Sequence, residues 1–163
     1  MRRGQISREN FLLAREYIVT DVRRELDLAR VSENPVAAGE LVRIGVRPGG
    51  GNFLAALAML CYTEFAGGLI TGGTDRAKFE TFIRRMGGGY GELLDSGMNI
   101  YKLFRCGMAH EYFAKKSMEV SMFGNPPVGL GELRDGRLFF CLEKYLDDFV
   151  NAFDDLGQAL GHL

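Results

Sequence analysis

Histidine occurs only twice in this chain, so each copy can be read individually. His162 is the penultimate residue, while His110 lies in an apolar stretch, residues 98–113, MNIYKLFRCGMAHEYF. Arg105 stands five residues before His110 and Tyr112 two residues after it. An imidazole with its free pKa of ~6.5 takes or gives a proton near neutral pH. A guanidinium carries a fixed fork of donors that matches phosphate oxygens. Together the two groups could do phosphate chemistry, one moving a proton and the other holding negative charge. The same spacing also reads as an ordinary helix with a snorkelling arginine and a hydrogen-bonded core histidine.

The element that carries these residues sets the geometry. On an ideal α-helix, positions five apart diverge by ~140°, whereas positions seven apart nearly coincide. Tyr112 should share a stripe with Arg105, and His110 should not. Convergence of Arg105 and His110 on one phosphate needs a break or widening of the helix near Gly107, where a glycine would allow it. The alternative is that the pair converges across a dimer.

The string Arg105-Cys-Gly-Met-Ala-His110-Glu-Tyr112 resembles the R-x4-H-x-Y signature of HEPN domains, small helical nucleases and nucleotide-binding proteins. The resemblance is tight over the motif and loose over the helices around it. It implies a mainly α fold, an up-and-down helical bundle of HEPN type, here with a small inserted β-ribbon. It further implies metal-independent cleavage of RNA by a homodimer that brings two motifs together, with no cofactor and no role for DNA. The 2′-hydroxyl would attack the adjacent phosphate, with His110 as general acid or base and Arg105 stabilising the developing charge. In toxin–antitoxin members the tyrosine two places after the histidine receives AMP from a partner nucleotidyltransferase, a role that maps onto Tyr112. Glu64, Cys106 and Glu111 are candidate supporting residues. The position after the arginine is usually polar in the family, often Asn, and here it is Cys106. That departure keeps a second reading open, a non-catalytic helical dimer that binds a nucleotide or a protein partner.

Composition bounds the remaining possibilities. At 163 residues, with 47% apolar and 25% charged side chains, residues 1–163 read as one globular domain. Net charge is −1, so no global basic field attracts nucleic acid. Residues 1–50 carry nine basic and seven acidic side chains, while residues 111–163 carry five and nine. Any RNA contact should be local and lie away from the C-terminal face. Fifteen arginines to five lysines read as compositional bias or surface ion pairing. Cys61, Cys106 and Cys141 are odd in number and lack C-x-x-C spacing, which argues against a disulfide framework or zinc site and suits a reducing cytoplasm. The start, MRRGQIS, has no apolar core of a signal peptide, and the uncharged run 48–63 is too short to span a bilayer.

Along the chain, Ser7 and Glu9 suit the start of an amphipathic helix over residues 8–31, with Phe11, Ala14, Ile18, Val22, Leu26 and Ala29 inward. Asn34-Pro35 should end it. Residues 32–51 read as a connection, with a short strand over 41–46. Gly49–Gly51 form a flexible helix start that could also hold an anion. Residues 53–65 are apolar nearly all round and read as a central or interfacial helix. Glu64, its exception, either sits solvated at the helix end or turns inward to pair with Arg105. Gly67, Gly68, Gly72 and Gly73 signal a tight turn or close packing, and Thr74 a cap for a helix over 75–86. That helix carries Arg76, Lys78, Arg84 and Arg85, the candidate basic patch. Gly87–Gly89 should stop it, and residues 90–96 read as a turn or short helix. Residues 117–123 alternate as a strand, Asp135-Gly136 signals a hairpin, and 137–140 read as a second strand. The last helix, from Leu142, is strongly amphipathic and acidic outside.

Overall fold

The computed structural model describes residues 6–48, 52–111 and 118–163, except for the side chain of Glu111. Local chemistry accounts for the first turns of the chain. The Ser7 side chain accepts from the Asn10 amide, Glu9 stands in the first turn, and α1 runs over Arg8–Glu33. Phe11, Ile18, Val22 and Leu26 form its buried stripe, on the spacing that the sequence sets.

Asn34 does two things at once. It ends α1, and its side chain accepts from the amides of Val36 and Ala37, which starts α2, Pro35–Arg43. Proline suits the first helical position because it has no amide to satisfy there. The strand expected over 41–46 is therefore incorrect: residues 41–43 close a helix that the Asn-Pro pair nucleates. Gly49–Gly51, and the anion-holding start suggested for them, lie outside the described residues.

α3, Asn52–Ile70, runs further than its apolar block, straight through Gly67 and Gly68. Close packing, not a turn, uses Gly67. A Cβ built there would stand 1.8 Å from the Lys78 carbonyl oxygen, so α3 and α4 touch backbone to backbone. Thr74 accepts from the Ala77 amide and caps α4, Asp75–Arg85, which buries Phe79, Phe82 and Ile83. Gly87, at φ +125°, turns the chain. Gly88 and Gly89 then open α5, Gly88–Asp95.

The motif segment begins with a π-helical turn, Tyr101–Cys106, and passes directly into α6, Gly107–Glu111. β1, Met118–Ser121, β2, Leu130–Glu132, and β3, Leu138–Cys141, follow. They form a three-stranded sheet in the order β1-β3-β2, with β1 parallel and β2 antiparallel to the central strand. The expected ribbon is thus a small mixed sheet. Its missed strand, β2, is three residues with a glycine at its centre, too short for alternation to reveal. The Asp135-Gly136 turn joins β2 to β3 as expected, with Gly136 at φ +82°.

α7, Leu142–Ala159, closes the fold and supplies the largest share of the core. Phe153 stacks on Phe11 of α1 at 4.5 Å, and Phe149 meets Phe82 of α4 at 5.1 Å. Each buried ring contributes roughly 2–3 kcal/mol of transfer free energy. The Tyr145 hydroxyl shares a 2.8 Å hydrogen bond with Thr63 of α3. The Tyr90 hydroxyl donates to Asp148 and accepts from the Gly129 amide, both at 2.8 Å. The architecture is mainly α with a small β insertion before the last helix. Among the described residues, no helix is long and apolar enough to cross a membrane.

Candidate functional site

The π turn sets how the motif is presented. The Gly107 amide reaches back five residues to the Lys102 carbonyl, so one extra residue is accommodated in the turn. Such widened turns re-aim the side chains around them and recur at functional sites. Asn99 steadies the start by accepting from the Lys102 amide at 3.0 Å, and the buried ring of Phe104 anchors the turn in the core. Tyr101 meets Phe79 edge-on at 5.5 Å.

The widened turn contains Arg105 and closes on the Gly107 amide, while Gly107 itself is buried with ordinary helical angles, φ −58° and ψ −50°. A widening near Gly107 is thus present, as a π turn that ends there, and Gly107 does not break the helix. The step from Arg105 to His110 is mostly α-helical, and the two side chains go to different environments. Arg105 is half-buried, and its Nε donates to Glu64 Oε2 at 3.2 Å. His110 is exposed on α6. The reading of His110 as a core histidine is thereby overturned. The packed histidine is His162, whose ring lies 5.4 Å from that of Phe11.

Of the two readings of Glu64, the structure takes the inward one. Its side chain is 20% exposed and Arg105 is 21% exposed, so both are sheltered without being sealed. Among the described residues, Glu64 is the one hydrogen-bond partner of Arg105. Nε carries that bond, which leaves the two amino groups of the guanidinium fork. Cys106 is half-buried beside Arg105. Glu111 ends α6, and its side chain is not described. Tyr112 lies outside the described residues.

Residues the sequence did not single out join this cluster. Cys61 lies one helical turn before Glu64 on α3. Burial pushes its thiol pKa up, while the charge of Arg105 pulls it the other way. Burial also raises the Tyr101 phenol, helped by Glu64 and Cys106 and opposed by Arg105. The Asp75 carboxyl is held below its ordinary value, mainly by its hydrogen bond from Lys78 and to a lesser extent by Arg105. Side chains from three elements, α3, α4 and the π turn, thus feel one guanidinium. The signal for Cys61 was its i, i+3 spacing from Glu64, which puts both on one helical face.

An open cleft of about 610 Å³ adjoins the ion pair, lined by Cys61, Glu64, Phe65, Leu69, Thr71 and Lys78 among others. The contact at Gly67 sets the closeness of its two walls, α3 and α4. The expected basic patch on α4 is largely neutralised. Arg76 pairs with Glu80, Lys78 with Asp75 and Arg84 with Asp95. Among the described residues, no group of three or more His, Cys, Asp or Glu side chains is placed to hold a metal ion. Comparison of the chain with family models, with curated proteins and with solved structures finds no match.

Proposed function

We propose that the chain is a HEPN-type, metal-independent endoribonuclease of the cytoplasm, acting as a homodimer, and a candidate toxin of a toxin–antitoxin pair. One observation carries the reading: a sheltered arginine, oriented through Nε by Glu64 and with no other hydrogen-bond partner among the described residues, stands five residues before an exposed imidazole. An arginine so oriented is pre-set to receive phosphate oxygens in a fork. An exposed imidazole is free to reach a substrate or a second copy of the chain.

The helix geometry supports the dimer reading. Arg105 turns toward α3 within its own chain and His110 turns to solvent, so the reacting phosphate lies where two motif helices face each other. One His110 takes the proton from the 2′-hydroxyl as that oxygen attacks phosphorus. The bond to the 5′-oxygen breaks, and the second His110 gives that oxygen a proton. A 2′,3′-cyclic phosphate and a free 5′-hydroxyl result. Arg105 stabilises the added charge on the non-bridging oxygens. Tyr112 is the position at which a partner nucleotidyltransferase would add AMP.

The test is incubation of the purified protein with total RNA in the presence of a chelator, wild type beside His110→Ala. Cleavage by wild type alone, with cyclic phosphate ends, is expected. Equal cleavage by both proteins would remove His110 from the site. No cleavage by either would shift the reading to a nucleotide- or protein-binding dimer.

A further inference from the structure

The cleft beside the Arg105–Glu64 pair has a chemistry of its own. Its volume of about 610 Å³ falls in the range of small-molecule sites. Phe65, on its wall, is 40% exposed, a large aromatic ring left facing solvent. Exposed rings beside a phosphate-binding group are platforms for unstacked bases. Glu64 brings a second feature. Its Oε2 accepts from Arg105, and among the described residues Oε1 has no partner. The Glu64 side chain is 20% exposed and lines the cleft. An ionised carboxylate accepts hydrogen bonds only, at about four positions.

We infer that this cleft is a guanine subsite, with Phe65 stacking on the base and Glu64 reading its edge, next to the phosphate that Arg105 meets. The inference rests on the ribonuclease reading. Guanine is the one standard base with two N–H donors side by side on its Watson–Crick edge, N1–H and the N2 amino group. A carboxylate accepts from both. Uracil offers a single N–H between two carbonyl oxygens, which a carboxylate repels. Adenine and cytosine offer an amino group beside an acceptor nitrogen. Because Glu64 also orients Arg105, filling the cleft with guanine and positioning the arginine involve the same carboxylate. Base recognition is thereby coupled to phosphate binding. Lys78, held by Asp75, places a further cation along the cleft wall.

The experiment is calorimetric titration of the intact protein with guanosine 3′-monophosphate and uridine 3′-monophosphate, beside mapping of cleavage sites in RNA. Wild type is expected to bind the guanosine nucleotide at least fivefold more tightly. Phe65→Ala should weaken both nucleotides at least fivefold, and its ring is exposed enough that folding is little affected. Glu64→Gln keeps the shape but places an amide where the carboxylate stood. It should erase the preference for guanosine in both binding and cleavage. Equal binding of the two nucleotides, no binding, or a preference that survives Glu64→Gln overturns the inference. The two readings fail separately. Cleavage that requires His110 but ignores the base sinks the guanine subsite alone. Guanosine binding by a protein that cuts no RNA sinks the ribonuclease alone.

Discussion

Among the arginine–carboxylate pairs that tie helices together in this protein, two differ in how completely they are used. Arg15 of α1 meets Asp154 of α7 through both Nε and Nη2, the latter at 2.7 Å. That is a fork on a carboxylate, and its hydrogen bond raises the guanidinium further above its ordinary pKa. Arg105 meets Glu64 through Nε alone at 3.2 Å, although both side chains are more sheltered than those of the first pair. The first pair uses its donors to lock α1 onto α7. Among the described residues, the second leaves donors and an acceptor over, beside an open cleft. A sheltered ion pair with spare hydrogen-bonding capacity does little for stability that a fuller pair would not do better, and the proposed ligand site rests on that contrast.

The largest expected effect separates chemistry from structure. Arg105→Ala and His110→Ala should each lower RNA cleavage by roughly 10²–10⁴-fold. His110→Ala should change the urea midpoint very little, because exposed substitutions usually fall within about 0.5 kcal/mol. A large loss of stability in His110→Ala would contradict its placement at the surface. Next comes Gly67→Ala. Its Cβ would meet the Lys78 carbonyl, and parting α3 from α4 should cost about 2–3 kcal/mol in denaturant unfolding. The same change should widen the cleft and misplace Glu64, so cleavage should fall with it.

The α7 side can be probed by pH. Burial raises the pKa of the Tyr90 and Tyr145 phenols far above the ordinary 10. In the unfolded chain these hydroxyls lose their protons above pH ~10, while in the native state they keep them. The unfolded state then binds fewer protons, and stability falls as pH rises. Below pH ~10 this contribution is fully present. Above it, each tyrosine should remove up to about 1.4 kcal/mol per pH unit, measured by denaturation between pH 8 and 11. The smallest effect is the direct contrast of the pairs. Asp154→Asn should cost about 1–2 kcal/mol, and Glu64→Gln less than about 1. The reverse order would make Arg105–Glu64 the structural lock.

Much of the helical layout was legible in the sequence because its signals are local. Ser7, Thr74 and the Phe11–Leu26 stripe marked α1 and α4, and the period from Leu142 marked α7. The failures have physical causes. Asn34-Pro35 was read only as a stop, yet the same side chain that ends one helix satisfies the free amides of the next. β2 was invisible because three residues define no period. The glycines at 67 and 68 left a tight turn and close packing both open, since glycine lowers helix propensity, and contact with α4 decides for packing within a continuous helix.

The candidate site divides along the same line. Sequence by itself determined the Arg105–His110 spacing, the charge of each group and the helical character of the segment, because these depend on residue type and short-range periodicity. Only the tertiary structure decided that the widened turn holds Arg105 and leaves Gly107 helical, that Glu64 turns inward, and that His110 faces solvent. It also decided that Cys61 and Tyr101, far apart in the chain, gather around one guanidinium, and that Phe65 joins Glu64 in lining the cleft. Those outcomes depend on which face of α3 meets the π turn and how closely α4 approaches it. Packing across tens of residues settles both, and no local signal encodes them.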